Sequence, residues 1–184
     1  MKKTNPFKLK HVNGYASLIT LIIFIVFVIF VLPNESQKSE ALGLISGPDT
    51  TFFYSADELY RIADAYGIIG RQFYIRQRFT FDIIWPIVYG SFLYINSIYF
   101  YKKNNINKHT YLLYLPIVAV VFDYLENIMT SIVMYRYPNQ TIILDHMTGF
   151  MTSLKWITLS ASFVVLVYFI CIYSMKKLKK IKNA

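Results

Sequence analysis

Four long apolar stretches separated by polar ones organise this chain: residues 15–32, 79–101, 111–134 and 148–174. A helix needs roughly 20 apolar residues to cross the ~30 Å hydrocarbon core of a bilayer, and each stretch is of that order. The pattern predicts an all-α fold, a polytopic four-transmembrane-helix bundle in a single membrane domain over residues 1–184. Residues 33–78 form the one sizeable extramembrane insert, so no large soluble core remains.

Polar punctuation refines the insert. Pro33 is expected to end the first helix, and residues 34–51, with Gly43, Gly47 and Pro48, have the composition of a loop. Ser55-Ala56-Asp57-Glu58 is a capping box, with Tyr54 and Leu59 at the two positions of a hydrophobic staple. Leu59, Ile62, Ala63 and Tyr66 then form one apolar face, which predicts an extracytoplasmic amphipathic helix lying on the membrane or capping the bundle. Gly67 and Gly70 are expected to interrupt it. If the stretch from Arg71 to Arg78 is helical and runs into the second transmembrane helix, Arg71, Arg78 and Asp82 share one stripe. Arg78 and Asp82 are then an i,i+4 pair.

The third apolar stretch is two-faced. Ala119, Asp123, Glu126, Asn127 and Thr130 fall on one side at spacings of three and four, and Val118, Val121, Leu125, Ile128 and Ile132 on the other. An acid at a transmembrane helix centre costs of the order of 2.5–3.5 kcal/mol, so Asp82, Asp123 and Glu126 are expected to face the protein interior and find partners. At ~1.5 Å rise per residue, Glu126 lies roughly 12 Å below the outer boundary and Lys155 roughly 10 Å deep on the same side. One layer of the bundle is thus expected to gather Asp82, Glu126 and Lys155. Pro86, four residues after Asp82, frees the Asp82 carbonyl from helical bonding and adds polarity there. Thr148, Thr152 and Ser162 flank Lys155 on the fourth helix as further hydrogen-bonding groups.

Composition and charge add orientation. The chain is 55% hydrophobic and only 16% charged, against about 25% charged in soluble domains. Its net charge of +9 comes from lysines in three segments that contain no acid: Lys2, Lys3, Lys8 and Lys10; Lys102, Lys103 and Lys108; and Lys176, Lys177, Lys179, Lys180 and Lys182. This positive-inside pattern predicts a multi-pass protein of the cell membrane with both termini cytoplasmic. It marks membrane lipid as the partner of the lysine tail, and no nucleic acid. The apolar run from Ala16 to Leu32 is longer than a signal-peptide core, so the first helix is expected to be retained. Cys171 is the only cysteine, which excludes an intrachain disulfide and leaves a small apolar packing role. Tyr99, Tyr101, Tyr111 and Tyr114, and at the other side Tyr135 and Tyr137, fit interfacial aromatic belts.

The chemistry expected is that of the intramembrane charges: Asp82, Asp123, Glu126, Asn127 and Lys155, with Arg71 and Arg78 at the mouth. Three readings stand side by side: a pocket that binds or moves a small or lipid-like ligand, a lipid-modifying enzyme with Asp123 or Glu126 as acid–base, and a purely structural or partner-binding network. No metal or cofactor is expected. His11, His109 and His146 are scattered, and neither a phosphate loop, a dinucleotide fingerprint, a serine triad nor a histidine–glutamate zinc motif occurs.

Gly70-Arg71, Asp82, Trp85-Pro86, Tyr89, Pro116, Phe122-Asp123 and Leu125-Glu126-Asn127 together resemble a group of small, uncharacterised bacterial four-helix integral membrane proteins. The resemblance covers roughly residues 60–134 and implies a shared fold; it carries no activity to this chain.

Overall fold

The computed structural model describes residues 12–44 and 47–183; Lys2, Lys3, Lys8, Lys10 and His11, and the expectations for them, lie outside the described residues. Among the described residues every regular element is a helix, and four helices are long and apolar enough to cross a membrane.

Helix α1 spans Gly14–Ala41 and starts where the Asn13 side chain accepts the Ala16 amide at 3.0 Å. Pro33 does not end it, contrary to the expectation from sequence. Residues Phe27–Val31 widen into a π turn, and the Leu32 N–H reaches the Phe27 carbonyl five residues back. That extra residue shifts the hydrogen-bond ladder just before the proline, whose missing N–H then falls at the start of the next α segment, where it costs little. The residues expected as loop from Asn34 onward therefore remain helical as far as Ala41, and carry the Lys38–Glu35 ion pair. Gly43, at φ 75°, then turns the chain back.

Helix α2, Ala56–Arg78, opens with the capping box read from sequence: the Glu58 amide donates to the Ser55 hydroxyl, and the Ser55 amide donates to the Glu58 carboxylate at 2.8 Å. The Ser55 amide and, after it, the Ser55 hydroxyl, both donating to that carboxylate, hold the Glu58 carboxyl below its ordinary value. Of the two glycines expected to interrupt this helix, only Gly67 does so, at φ 58° and ψ −172°, a conformation open essentially to glycine alone. Gly70 stays helical, where a Cβ would meet Leu44 at 2.9 Å. The chain leaves the helix again at Phe79 and Thr80 and resumes as α3, Phe81–Lys103.

A short 3₁₀ turn, Thr110–Tyr114, leads into α4, Leu115–Arg136, with Pro116 in its first turn as its missing amide allows. Helix α5, Leu144–Lys182, is longer than its apolar run: it begins before Thr148 and carries all five C-terminal lysines on its final turns. Helices α3, α4 and α5 are successive antiparallel neighbours, with α1 packed on α3 and α2 laid mainly against the end of α4. At one end Tyr54, Leu59, Ala63 and Tyr74 pack on Val133 and Met134; in the middle Tyr89, Phe92 and Leu93 meet Leu166. Tyr101, expected in an aromatic belt, is instead core: 1% exposed, packed with Ile98, Leu113 and Phe169.

The surface reverses what water favours. Ile83, Ile84 and Ile87 on α3, Val121 and Ile128 on α4, and Ile157, Val164 and Val167 on α5 are exposed, whereas Asp82, Asp123, Glu126 and Lys155 are buried. Helix α1 is fastened by a polar contact within its apolar run. The Ser17 hydroxyl donates to Asn96 Oδ1 at 2.6 Å, and Asn96 Nδ2 donates to Thr20 at 3.1 Å.

Candidate functional site: a buried charge network and its adjoining cavity

The polar stripe of α4 faces the bundle as its periodicity predicts, with Ala119, Asp123, Glu126, Asn127 and Thr130 all buried. Asp82 and Tyr89 occupy one stripe of α3, two turns apart; Thr152 and Lys155 occupy one stripe of α5. The three stripes converge toward the end of the bundle that α2 covers.

Contacts run through them in sequence. Arg78, the last residue of α2, donates from Nη1 to Asp82 Oδ2 at 2.7 Å, while its guanidinium lies 4.3 Å from the centre of the Tyr74 ring. The same nitrogen lies 3.5 Å from Asn127 Oδ1, a long contact that links the pair to α4. Asn127 Nδ2 donates to Asp123 Oδ1 at 3.1 Å, and the Tyr89 hydroxyl donates to Asp123 Oδ2 at 2.8 Å. Lys155 Nζ sits 2.5 Å from Glu126 Oε2 and 3.9 Å from Asp123 Oδ1. The Thr152 hydroxyl donates to Glu126 Oε1 at 2.6 Å. Glu126 and Thr152 are both 0% exposed. Buried charges survive where opposite charge and hydrogen bonds replace water, and each acid here has such partners.

The expected residues Asp82, Asp123, Glu126, Asn127, Lys155 and Arg78 are thus brought together. Arg71 is not: it donates to the Ala63 carbonyl at 2.7 Å and lies 4.6 Å from the Tyr137 ring centre. Seven residues place it on the Arg78 stripe but about 10 Å further along the axis, a layer above the network. Without Arg71 the set holds three acids, Asp82, Asp123 and Glu126, against two cations, Arg78 and Lys155. Tyr89 was not among the charged candidates, although its position seven residues after Asp82 puts it on the same face.

A cavity of about 270 Å³ adjoins the network between the last turns of α1 and the α2–α3 junction. Ser39 and Glu40 line it from α1, Tyr66 and Gln77 from α2, and the Arg78–Asp82 pair forms part of its wall. Asp123 and Glu126 do not line it; they lie behind the pair. Hollows of about 410 and 540 Å³ lie nearer the start of α2, lined in part by Glu58 and Arg61 and by Asp64 and Tyr137. Both are open grooves touching none of the network residues, so the smaller cavity is the one placed for its chemistry. Among the described residues, no three His, Cys, Asp or Glu side chains converge as metal ligands.

Compared with known protein families, curated proteins and solved structures, the chain matches none.

Proposed function

We propose that the chain is an integral membrane protein, inserted by α1, α3, α4 and α5 with both termini cytoplasmic, that binds or moves a small or lipid-like ligand in the cavity beside Arg78 and Asp82. Insertion is supported by the reversed surface. Apolar side chains ring the bundle while Asp82, Asp123, Glu126 and Lys155 are buried within it, the arrangement that hydrocarbon and not water stabilises. The acid-free lysine segments put the junction between α3 and α4 and the end of α5 on the cytoplasmic side. Helix α2 then caps the extracytoplasmic end.

The ligand reading rests on one observation: the cavity is walled by the Arg78–Asp82 pair, which is itself the first link of the network running into the bundle. A ligand there meets a fixed charge pair at the entrance and apolar groups such as Leu44 and Phe81 beside it. The inner residues support a different role. Asp123 and Glu126 have their carboxylates occupied by Tyr89, Asn127, Thr152 and Lys155, which fits a tie between α3, α4 and α5 better than acid–base chemistry.

Protein purified from native membranes, extracted and analysed by mass spectrometry, tests the ligand reading. A small molecule is expected with the wild type and lost in Ser39→Phe, which adds bulk to the cavity from α1 and keeps both members of the charge pair in the sequence. Wild type carrying no such molecule, or the variant carrying as much, contradicts it.

A further inference from the structure

The end of the bundle away from the cavity carries charge of one sign. Lys102 and Lys103 close α3, Lys108 lies in the next turn, and Lys176, Lys177, Lys179, Lys180 and Lys182 occupy the last turns of α5. No Asp or Glu occurs in residues 83–122 or 146–184. These lysines do not all hang on independent tails. Lys176 Nζ donates to the Asn104 carbonyl at 2.7 Å, and Asn104 Nδ2 donates to the Phe169 carbonyl at 2.7 Å. Asn104, the C-cap of α3, is buried, so the ends of α3 and α5 are fastened and their lysines share a surface.

Length places that surface. Helix α5 has 39 residues, about 58 Å at ~1.5 Å each, well beyond the ~30 Å hydrocarbon core. Its last turns therefore stand at the depth of lipid headgroups. There Lys177, Lys179, Lys180 and Lys182 are exposed, and Met175, Leu178 and Ile181, also exposed, follow one another at spacings of three. Cations alternating with apolar side chains at that depth suit phosphates above and acyl chains below.

We propose that this end of the bundle is a docking surface for anionic phospholipid headgroups, contacted by Lys177, Lys179, Lys180 and Lys182 of α5 and held in register with Lys102 and Lys103 by the Lys176–Asn104–Phe169 contacts. The proposal rests on the membrane insertion argued above, and its test separates the two.

The full chain is reconstituted in mixed phosphatidylcholine and phosphatidylglycerol nanodiscs, and the lipid remaining bound after mild detergent exchange is quantified. Wild type is expected to retain phosphatidylglycerol several-fold over phosphatidylcholine at low salt. The variant with Lys177, Lys179, Lys180 and Lys182 all changed to Gln is expected to lose about five-fold or more of that preference. High salt applied to the wild type is expected to reduce it likewise, a second readout that needs no variant. Equal retention of the two lipids by wild type, an unchanged preference in the variant, or retention of a short DNA duplex in place of lipid overturns the proposal. Carbonate washing of cell membranes reports separately: chain released by the wash defeats insertion itself, whereas retained chain with no lipid preference defeats only the headgroup surface.

Discussion

Lys155 stands between two of the network's three acids, and the balance of the network turns on it. Removing one partner of a buried ion pair costs ~3–5 kcal/mol, because the remaining charge keeps its burial and loses its compensation. Lys155→Met leaves Arg78 alone against three acids and is expected to lower stability by about that amount. Asp123→Asn moves the other way, to two acids against two cations, and is expected to cost only ~1–2 kcal/mol as hydrogen bonds rearrange. Unfolding in graded SDS, followed by circular dichroism, orders the two variants; equal losses would show that the charge count does not govern this interior. Much of the network was legible in the sequence. A strict three–four spacing on α4 separates polar from apolar positions, and rise per residue sets Glu126 and Lys155 at matching depth. Arg71 shares the Arg78 stripe yet lies a layer above the network, because a stripe states direction around a helix but not height along it. The Ser17–Asn96 contact is not legible in the sequence, because isolated neutral polar residues in an apolar run leave no periodic mark.

At the scale of elements, close approach of backbones fixes the packing. Helix α5 passes the chain entering α2 so closely that a Cβ on Gly149 would lie 2.1 Å from the Tyr54 carbonyl oxygen. Gly149→Ala is therefore expected to destabilise by ~1–3 kcal/mol, as overpacking does, and to loosen α2 over the network. Faster amide exchange in residues 54–66 would register this, and unchanged exchange would contradict it. Helix α1 is held differently, by the Ser17–Asn96–Thr20 bonds and by Phe24, which stacks on Phe92 at 4.4 Å between centroids. Polar bonds between helices in a bilayer contribute about 0.6–2 kcal/mol, so Asn96→Leu is expected to lower the unfolding midpoint measurably and leave α3–α5 paired. The extent of α1 was the least legible feature of the fold. Proline usually stops a helix, and only the widened turn before Pro33 carries the chain past it to wall the cavity.

For the whole molecule, the decisive property is the reversal of inside and outside. Buried ionisable side chains and exposed isoleucines and valines make one consistent object when the bundle lies in hydrocarbon. In the proposed topology the acid-free lysine segments face the cytoplasm. Labelling single cysteines with a membrane-impermeant maleimide, in a Cys171→Ser background, tests this most directly. Gln140→Cys, between α4 and α5, is expected to react on intact cells. Asn105→Cys, after α3, and Lys180→Cys, near the end of α5, are expected to react only after permeabilisation, with Ile128→Cys protected in both states. Reaction of the Lys180→Cys variant on intact cells, or free reaction of the Ile128→Cys variant, would contradict the account.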